Sequence, residues 1–170
     1  MMISRWVDTR TTGWTILIRL MVGGVVFFPE GLQKLFFPAI LGAGRFVKIG
    51  IPWPEFTGPF VGVVEIVCGL LIILGLLTRF AAVPLIIVMI VALASTKLPL
   101  LLGHDVWLFN APSGARYGFW GMAHEARTDL CMLLGALFLL ATGGGRWSVD
   151  GWLSRRRSTL RTAFPVDHKE

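Results

Sequence analysis

Four apolar segments alternate with polar connections along this chain, and each is about long enough to cross a lipid bilayer. They cover roughly residues 14–36, 59–77, 80–98 and 125–142. A helix that crosses a bilayer needs about 20 consecutive, mostly apolar residues, because the hydrocarbon layer is about 30 Å thick. The pattern therefore predicts an all-α integral membrane protein, folded as a four-helix bundle.

The connections between the apolar segments differ in length. Only Thr78-Arg79 separates the second segment from the third, which predicts a tight helical hairpin. The connection at 37–57 contains enough glycine and proline to exclude a long regular helix. The connection at 99–124 is rich in aromatic residues, and we expect it to lie across the mouth of the bundle.

Composition supports the assignment to a membrane. The chain has 170 residues, of which 55% are hydrophobic, and its mean hydropathy is +0.72. A soluble domain of this size does not carry so much apolar sequence in long runs. We predict one domain over 1–153 and a basic cytoplasmic tail over 154–170. The first apolar segment carries Arg19 and lacks an Ala-x-Ala-like cleavage site, which predicts a retained span rather than a signal peptide.

The formal net charge of +6 is unevenly distributed. If the N-terminus is cytoplasmic, nine basic residues lie on the inner side: Arg5, Arg10, Arg79, Arg146, Arg155, Arg156, Arg157, Arg161 and Lys169. Six then lie on the outer side: Lys34, Arg45, Lys48, Lys97, Arg116 and Arg127. Because basic residues accumulate on the cytoplasmic side, both termini are predicted to be cytoplasmic, in a multi-pass protein of a bacterial inner membrane. The cluster 155–157 is predicted to lie against anionic lipid, and no nucleic-acid partner is predicted.

One acidic residue interrupts the second apolar segment. Glu65 lies within the otherwise uncharged run from Gly58 to Leu77, where an ionisable group costs about 2.5–3.5 kcal/mol on insertion scales. Gly58, Gly62 and Gly69 share a helical face with Glu65, and small residues allow a neighbouring helix to approach closely. Glu65 is therefore predicted to face packed protein rather than lipid.

With the N-terminus inside, further polar residues gather at the outer end of the bundle. Glu30 and Lys34 are spaced as a helix ion pair. The predicted group contains Glu30, Gln33, Lys34, Glu65, Lys97, His124, Glu125, Arg127 and Asp129. Arg19 lies near the inner end of its segment, and its long side chain is predicted to extend to the inner headgroups.

Two interpretations of this polar group remain open. In the structural interpretation, acids and bases neutralise one another and hold the helices in register. In the functional interpretation, they bind a polar headgroup such as a quinone ring, or they move protons.

The cysteines and histidines indicate no metal or redox centre. Cys68 and Cys131 lie in apolar segments and are predicted to be buried small hydrophobic residues rather than a redox pair. His104, Met122 and His124 match no copper-binding spacing, and no paired Cys/His zinc motif occurs. No metal site is predicted.

Three groups of short motifs recur in order along the chain. The first is Arg19-Leu20 with GLQKL at 31–35; the second is EIVCGL at 65–70 with LGLLTRFAA at 74–82; the third is GGGRWSVD at 143–150. Together they resemble the signature of the DoxX family. Glu30 departs from that signature, since the family often has a less acidic residue there.

The resemblance implies a small four-helix membrane protein. Founding members of the family are described as the membrane subunit of a thiosulfate:quinone oxidoreductase, and relatives as parts of redox-stress membrane complexes. By resemblance, Glu65 and Lys34 would act at a quinone headgroup or on its proton path. Further quinone-binding candidates are Glu30, Gln33, Lys97, His124, Glu125, Asp129 and Arg19. Arg79 would anchor the hairpin, and Ser148 and Asp150 would cap the structure after the fourth span.

The chain carries no haem attachment motif, iron–sulfur cysteine run or dinucleotide fingerprint. An oxidoreductase role therefore requires a partner subunit that supplies electrons. A non-catalytic membrane anchor, with the aromatic connection as docking surface, is the alternative. A small transporter has less support, because the sequence shows no inverted repeat of broken helices. The oligomeric state stays open, with a homo-oligomer among the alternatives.

Overall fold

The computed structural model describes the backbone of residues 13–163 and the side chains of residues 13–156. This part of the chain is helical apart from its turns, loops and one isolated bridge between Val106 and Phe109. The predicted all-α class is confirmed. The helices are α1 (Thr15–Phe36), α2 (Ala43–Ile49), α3 (Pro54–Leu74), α4 (Thr78–Leu102), α5 (Phe119–Thr142) and α6 (Val149–Ala163).

Three helices, α1, α3 and α4, are long and apolar enough to cross a membrane, with mean hydropathies of 1.6, 2.2 and 2.4. Only 33% of each apolar stretch is buried inside the protein, so most of these side chains face outward, where lipid is their natural solvent. Helix α5 has 24 residues and carries Glu125, Arg127 and Asp129 in its first half. Its crossing of the membrane, and the side on which each terminus lies, stay predictions.

One hydrophobic core joins the four long helices. Helix α1 packs against α3 and α5, and α4 packs against the same two helices. We call the end of this assembly that carries α2 and the 103–118 loop the loop end, and the opposite end the turn end. The buried core consists of Val22, Val26, Cys68, Ile72, Ala81, Leu85, Met89, Met132, Ala136 and Leu139.

Two of the long helices contain a π-helical segment. In α1 it covers Val26–Leu32 and contains Pro29; in α4 it covers Leu93–Lys97, just before Pro99. A proline inside a helix lacks an N–H and its ring clashes with the carbonyl one turn earlier, so the helix widens locally. The two segments carry Glu30 and Lys97.

Glycines bring α1 and α3 into close contact. A Cβ atom added to Gly69 would lie 3.0 Å from the backbone nitrogen of Phe27, and one added to Gly62 would lie 3.2 Å from Lys34 Cβ. Gly58 instead faces α2, where an added Cβ would lie 2.7 Å from the nitrogen of Ala43. The prediction that this face of α3 permits close packing is confirmed.

Substituting two glycines of α1 is expected to have opposite effects. An alanine Cβ at Gly31 would meet Ile66 Cγ1 at 2.8 Å and Ile66 N at 2.9 Å, so the helices must separate. At Gly24 nothing lies within 4 Å. Gly31→Ala should lower the melting temperature of the protein in mild detergent. Gly24→Ala should leave it unchanged or raise stability by up to about 1 kcal/mol, because alanine favours helix. Equal effects would contradict the close contact at Gly31.

Several predicted boundaries differ from the structure. Helix α3 begins at Pro54 and ends at Leu74, so the hairpin turn is Gly75–Leu77 rather than Thr78-Arg79. Gly75 and Leu77 adopt φ angles of +69° and +49°, which end one helix before Thr78 starts the next. Helix α6 extends past residue 153 to Ala163; the predicted division of domain and tail there stays a prediction. The ends of the chain, 1–12 and 164–170, lie outside the described residues.

Candidate functional site

A cluster of two acids and one base lies between α1 and α3. Lys34 Nζ lies 2.7 Å from Glu65 Oε2 and 3.2 Å from Glu30 Oε2, and it also donates to the Glu30 carbonyl oxygen at 3.2 Å. Glu65 is 1% exposed, so the predictions that it faces protein and that Glu30 pairs with Lys34 are confirmed. By formal charge, two acids and one lysine leave this cluster one negative charge in excess.

A further base lies near this cluster. Arg45 on α2 lies within electrostatic reach of Glu65. Its side chain is exposed and also lines the cavity described below. Arg45 therefore connects the charge of the buried cluster to the solvent-accessible part of the loop end.

A second ion pair joins α4 to α5. Lys97 Nζ lies 3.2 Å from Asp129 Oδ2, and both side chains are largely buried. Lys97 is the last residue of the π-helical segment of α4. Asp129 follows Glu125 by one turn of α5. The pair therefore fixes the two helices against each other near the loop end.

A cavity of about 780 Å³ opens at the loop end. Its wall combines basic groups, aromatic rings and one acid, and Lys97 belongs to it. The lining residues are Arg45, Ile49, Thr96, Lys97, Leu100, Asn110, Pro112, Ala115, Arg116, Tyr117, Trp120, Gly121, His124 and Glu125. The cavity has the size and mixed lining of a small-molecule site.

An apolar groove of about 340 Å³ runs along the outer face of α4. Its lining consists of Ile90, Leu93, Ala94, Lys97, Leu98, Leu101 and Met122. Ile90 and Leu98 are exposed, and they lie on a helix apolar enough to cross a membrane. Lys97 lines both the groove and the cavity, so a polar chamber and an apolar surface meet at one lysine.

The structure divides the predicted polar group into parts. Glu30, Lys34 and Glu65 form one cluster, and Lys97 and Asp129 form another. His124 and Glu125 join Lys97 in the wall of the cavity. Gln33 is exposed and lies outside both clusters and the cavity lining.

Arg19 lies at the turn end, and its predicted extension to the headgroups is wrong. Its side chain is 2% exposed. It donates to the carbonyl oxygens of Ile72 (2.9 Å), Ile73 (2.6 Å), Gly144 (3.1 Å) and Trp147 (2.6 Å). The five-donor guanidinium satisfies the carbonyls that end α3 and those of the segment after α5. Arg19 therefore joins chain segments at the end opposite the cavity.

Asp150 and Ser148 complete this connection. The Asp150 carboxylate accepts hydrogen bonds from the backbone nitrogens of Leu77 (2.8 Å) and Thr78 (3.0 Å), which caps the start of α4. Ser148 Oγ accepts from Gly151 N at 2.9 Å, which caps α6. The predicted capping of the structure after the fourth long helix is confirmed for Ser148, whereas Asp150 caps the start of α4. The motif at 143–150 is thus a structural closure of the bundle.

Both cysteines are free thiols, and only one is buried. Cys68 belongs to the core, whereas Cys131 is exposed on α5. The prediction that both are buried is therefore wrong for Cys131, which follows the polar first half of that helix. Within residues 13–156, no group of three or more His, Cys, Asp or Glu side chains is arranged to hold a metal ion.

The cavity residues that sequence reasoning missed as site residues include two bases and two aromatic residues, Arg45, Arg116, Tyr117 and Trp120. These four lie in or beside long connections, where no helical periodicity reports which way a side chain points. The aromatic richness of 99–124 indicated that this segment covers the bundle mouth. It did not distinguish Tyr117 and Trp120, which line the cavity, from Trp107, which does not.

The fold and the three apolar helices define an integral membrane protein. The DoxX family model matches residues 14–98. The chain is also 56% identical over 143 residues to an uncharacterized membrane protein, Rv3486, of Mycobacterium tuberculosis, which covers 83% of this chain and 82% of that protein. The chain therefore belongs to the DoxX family. No solved structure gives a significant match.

Proposed function

We propose that this protein is the quinone-interacting subunit of a membrane oxidoreductase. The observation that carries the proposal is the meeting of a polar cavity and an apolar, outward-facing groove at Lys97. A membrane quinone likewise has a polar part and an apolar part: a ring that bears two carbonyl oxygens, and a long isoprenoid tail. Family membership is consistent with this function, although a fold alone does not define a reaction.

The cavity residues suit a quinone ring. Ring carbonyls accept hydrogen bonds, and Lys97 and His124 are side chains of the cavity that can donate them. Tyr117 and Trp120 add aromatic faces against which a flat ring can pack. The groove then offers apolar surface to the tail, with Leu93 and Leu98 among its walls.

A bound quinone would accept two electrons and two protons. In this proposal His124 and Glu125 hold and pass protons, because an imidazole and a carboxylate can each carry a proton and both side chains are exposed in the lining of the cavity. Lys34 and Glu65 do not line the cavity and would act on the quinone indirectly. They set the charge that faces Arg45, and Arg45 lines the cavity.

The electron donor in this proposal is a partner subunit that oxidises a sulfur compound or responds to redox stress. We place the protein in a bacterial inner membrane with four crossings, both termini cytoplasmic and the loop end outside. The partner then docks on the outer side, against the 103–118 loop that borders the cavity.

A non-catalytic membrane anchor is the second candidate function, and Trp107 favours it. This side chain is 87% exposed, and its backbone has a φ angle of +55°, which is uncommon for a bulky residue. Tryptophan is enriched in protein–protein interfaces. In this alternative the loop binds another protein, and the two ion-pair clusters only hold the helices together.

Extraction of lipids from protein purified in mild detergent, followed by mass spectrometry, tests the proposal. We expect quinone at near one molecule per protein, and a loss of at least about tenfold in Lys97→Ala, because the headgroup loses a charge-assisted hydrogen bond. His124→Ala should reduce the bound quinone as well.

Lys48→Ala is the matched control, because it removes a basic residue of the same end whose side chain does not line the cavity. It should retain quinone at the wild-type level. A quinone content that responds to Glu65→Gln but not to Lys97→Ala would move the site to the buried cluster. Absence of quinone together with a stable protein partner would favour the anchor.

A further inference from the structure

A basic and aromatic recess of about 330 Å³ lies at the turn end, at the start of α6. It is far along the bundle from the cavity and takes no part in the proposed quinone site. Its lining consists of Leu74, Arg146, Trp147, Ser148, Val149, Trp152 and Arg155.

The recess lies where a membrane-spanning helix ends. Leu74 is the last residue of α3 and is 47% exposed, so it borders the lipid. Trp147 and Trp152 are exposed beside it, and tryptophan concentrates at the level of the headgroups. One wall therefore faces acyl chains, and the rest faces the headgroup layer.

The rim of the recess is positively charged. Arg155 Nη1 donates to the carbonyl oxygen of Arg146 at 3.0 Å, which holds both arginines at one rim. Arg156 adds a guanidinium 4.6 Å above the Trp152 ring. The acid of this segment, Asp150, is 2% exposed and already accepts hydrogen bonds from Leu77 and Thr78. The accessible charge is therefore basic.

We propose that this recess binds one anionic phospholipid. Its phosphate would lie between Arg146 and Arg155, since arginine recognises phosphate through paired N–H donors. Its acyl chains would lie along Leu74 and Val149. Inorganic phosphate has no apolar part that would contact this surface. The inference does not depend on the proposed redox function.

Native mass spectrometry of the full chain in a neutral detergent provides the test. Phosphatidylglycerol and phosphatidylcholine with identical acyl chains are titrated separately. The first phosphatidylglycerol should bind more tightly than phosphatidylcholine. The preference should fall about fivefold for each arginine removed, because a basic residue near an anionic lipid surface contributes about 1 kcal/mol. Arg146→Gln/Arg155→Gln should abolish it.

The control is Lys48→Gln/Arg127→Gln, which removes the same charge at the loop end and should keep the preference. If the recess variant does not fold, the salt dependence of the wild-type protein still tests the proposal. Its preference for phosphatidylglycerol must weaken as the salt concentration is raised. Preference unchanged in the recess variant, or insensitive to salt, would overturn the proposal. Displacement of the lipid by millimolar inorganic phosphate would do the same, because it would indicate a site for free phosphate.

Discussion

Lys34→Met is expected to destabilise the protein by about 3–5 kcal/mol, the range for breaking a buried ion pair by removing one partner. Lys34 Nζ is the group that lies within 3.2 Å of both Glu30 and Glu65. Without it, two carboxylates face each other between α1 and α3, and Glu65 is 1% exposed. Unfolding of the purified protein in mild detergent, followed by circular dichroism, measures the loss.

Lys34 contacts two acids, whereas Glu65, among the residues that the structure describes, forms an ion pair with Lys34 alone. Substituting each partner in turn therefore provides a control for the prediction. Glu65→Leu should cost less than Lys34→Met, because Lys34 keeps its contact with Glu30. The double variant Lys34→Met/Glu65→Leu should be more stable than Lys34→Met alone, since a buried pair is often replaced by apolar groups without loss. Glu55→Gln, at an exposed position of the same helix, should change stability by less than about 0.5 kcal/mol. A double variant no more stable than Lys34→Met would contradict the buried ion pair.

Arg19→Ala is expected to cost at least about 3 kcal/mol, because several hydrogen bonds from a buried charged group are lost and hydrogen bonds of this kind contribute about 1.5–3 kcal/mol each. The carbonyl groups of Ile73, Gly144 and Trp147 would lose the Arg19 donor, and the Ile72 carbonyl would keep its hydrogen bond from Gly75 N. Amide hydrogen exchange should report the loss locally. The Asp150 nitrogen, which donates to the Gly75 carbonyl oxygen at 2.9 Å, should exchange faster.

Arg19→Lys separates charge from geometry. Lysine keeps the positive charge, but its single ammonium group cannot bond the carbonyls at the end of α3 and those after α5 at once, as the planar guanidinium does. We expect the stability of Arg19→Lys to lie between that of the wild type and that of Arg19→Ala. The Asp150 amide should exchange faster than in the wild type. Lys48→Ala, an exposed base at the loop end, should leave both measurements unchanged. Full stability of Arg19→Lys would show that charge rather than shape holds this end together.

Much of the fold follows from local sequence. The apolar runs located the long helices, and the glycines flanking Glu65 showed that this acid faces protein. The i, i+4 spacing of Glu30 and Lys34 predicted their contact. Each of these inferences uses neighbours within one helix, where periodicity directly reports geometry.

The arrangement of the site could not be predicted in the same way. Depth in the membrane orders residues along the bundle axis, so Lys97, Asp129 and Glu65 were all assigned correctly to one end. Depth does not give the angle around that axis, and the structure separates the Lys97–Asp129 pair from the Glu65 cluster. Arg19 shows the same limit, because its partners are backbone carbonyls, which no pattern of side chains reveals.

The π-helical segment Val26–Leu32 changes the direction, around the axis of α1, in which the residues after it point. The residue types of the helix alone do not predict this change. Each residue of an α-helix advances the chain by about 100° around the axis, so a wider turn rotates everything beyond it relative to everything before it. Val22 and Lys34 lie on opposite sides of this segment, yet both side chains are buried in the bundle. The pairing of Lys34 with Glu65 therefore depends on the number of residues in the preceding turns as much as on the two charges. In comparisons within the family, an insertion or deletion here should carry more weight than a conservative exchange at either charged position.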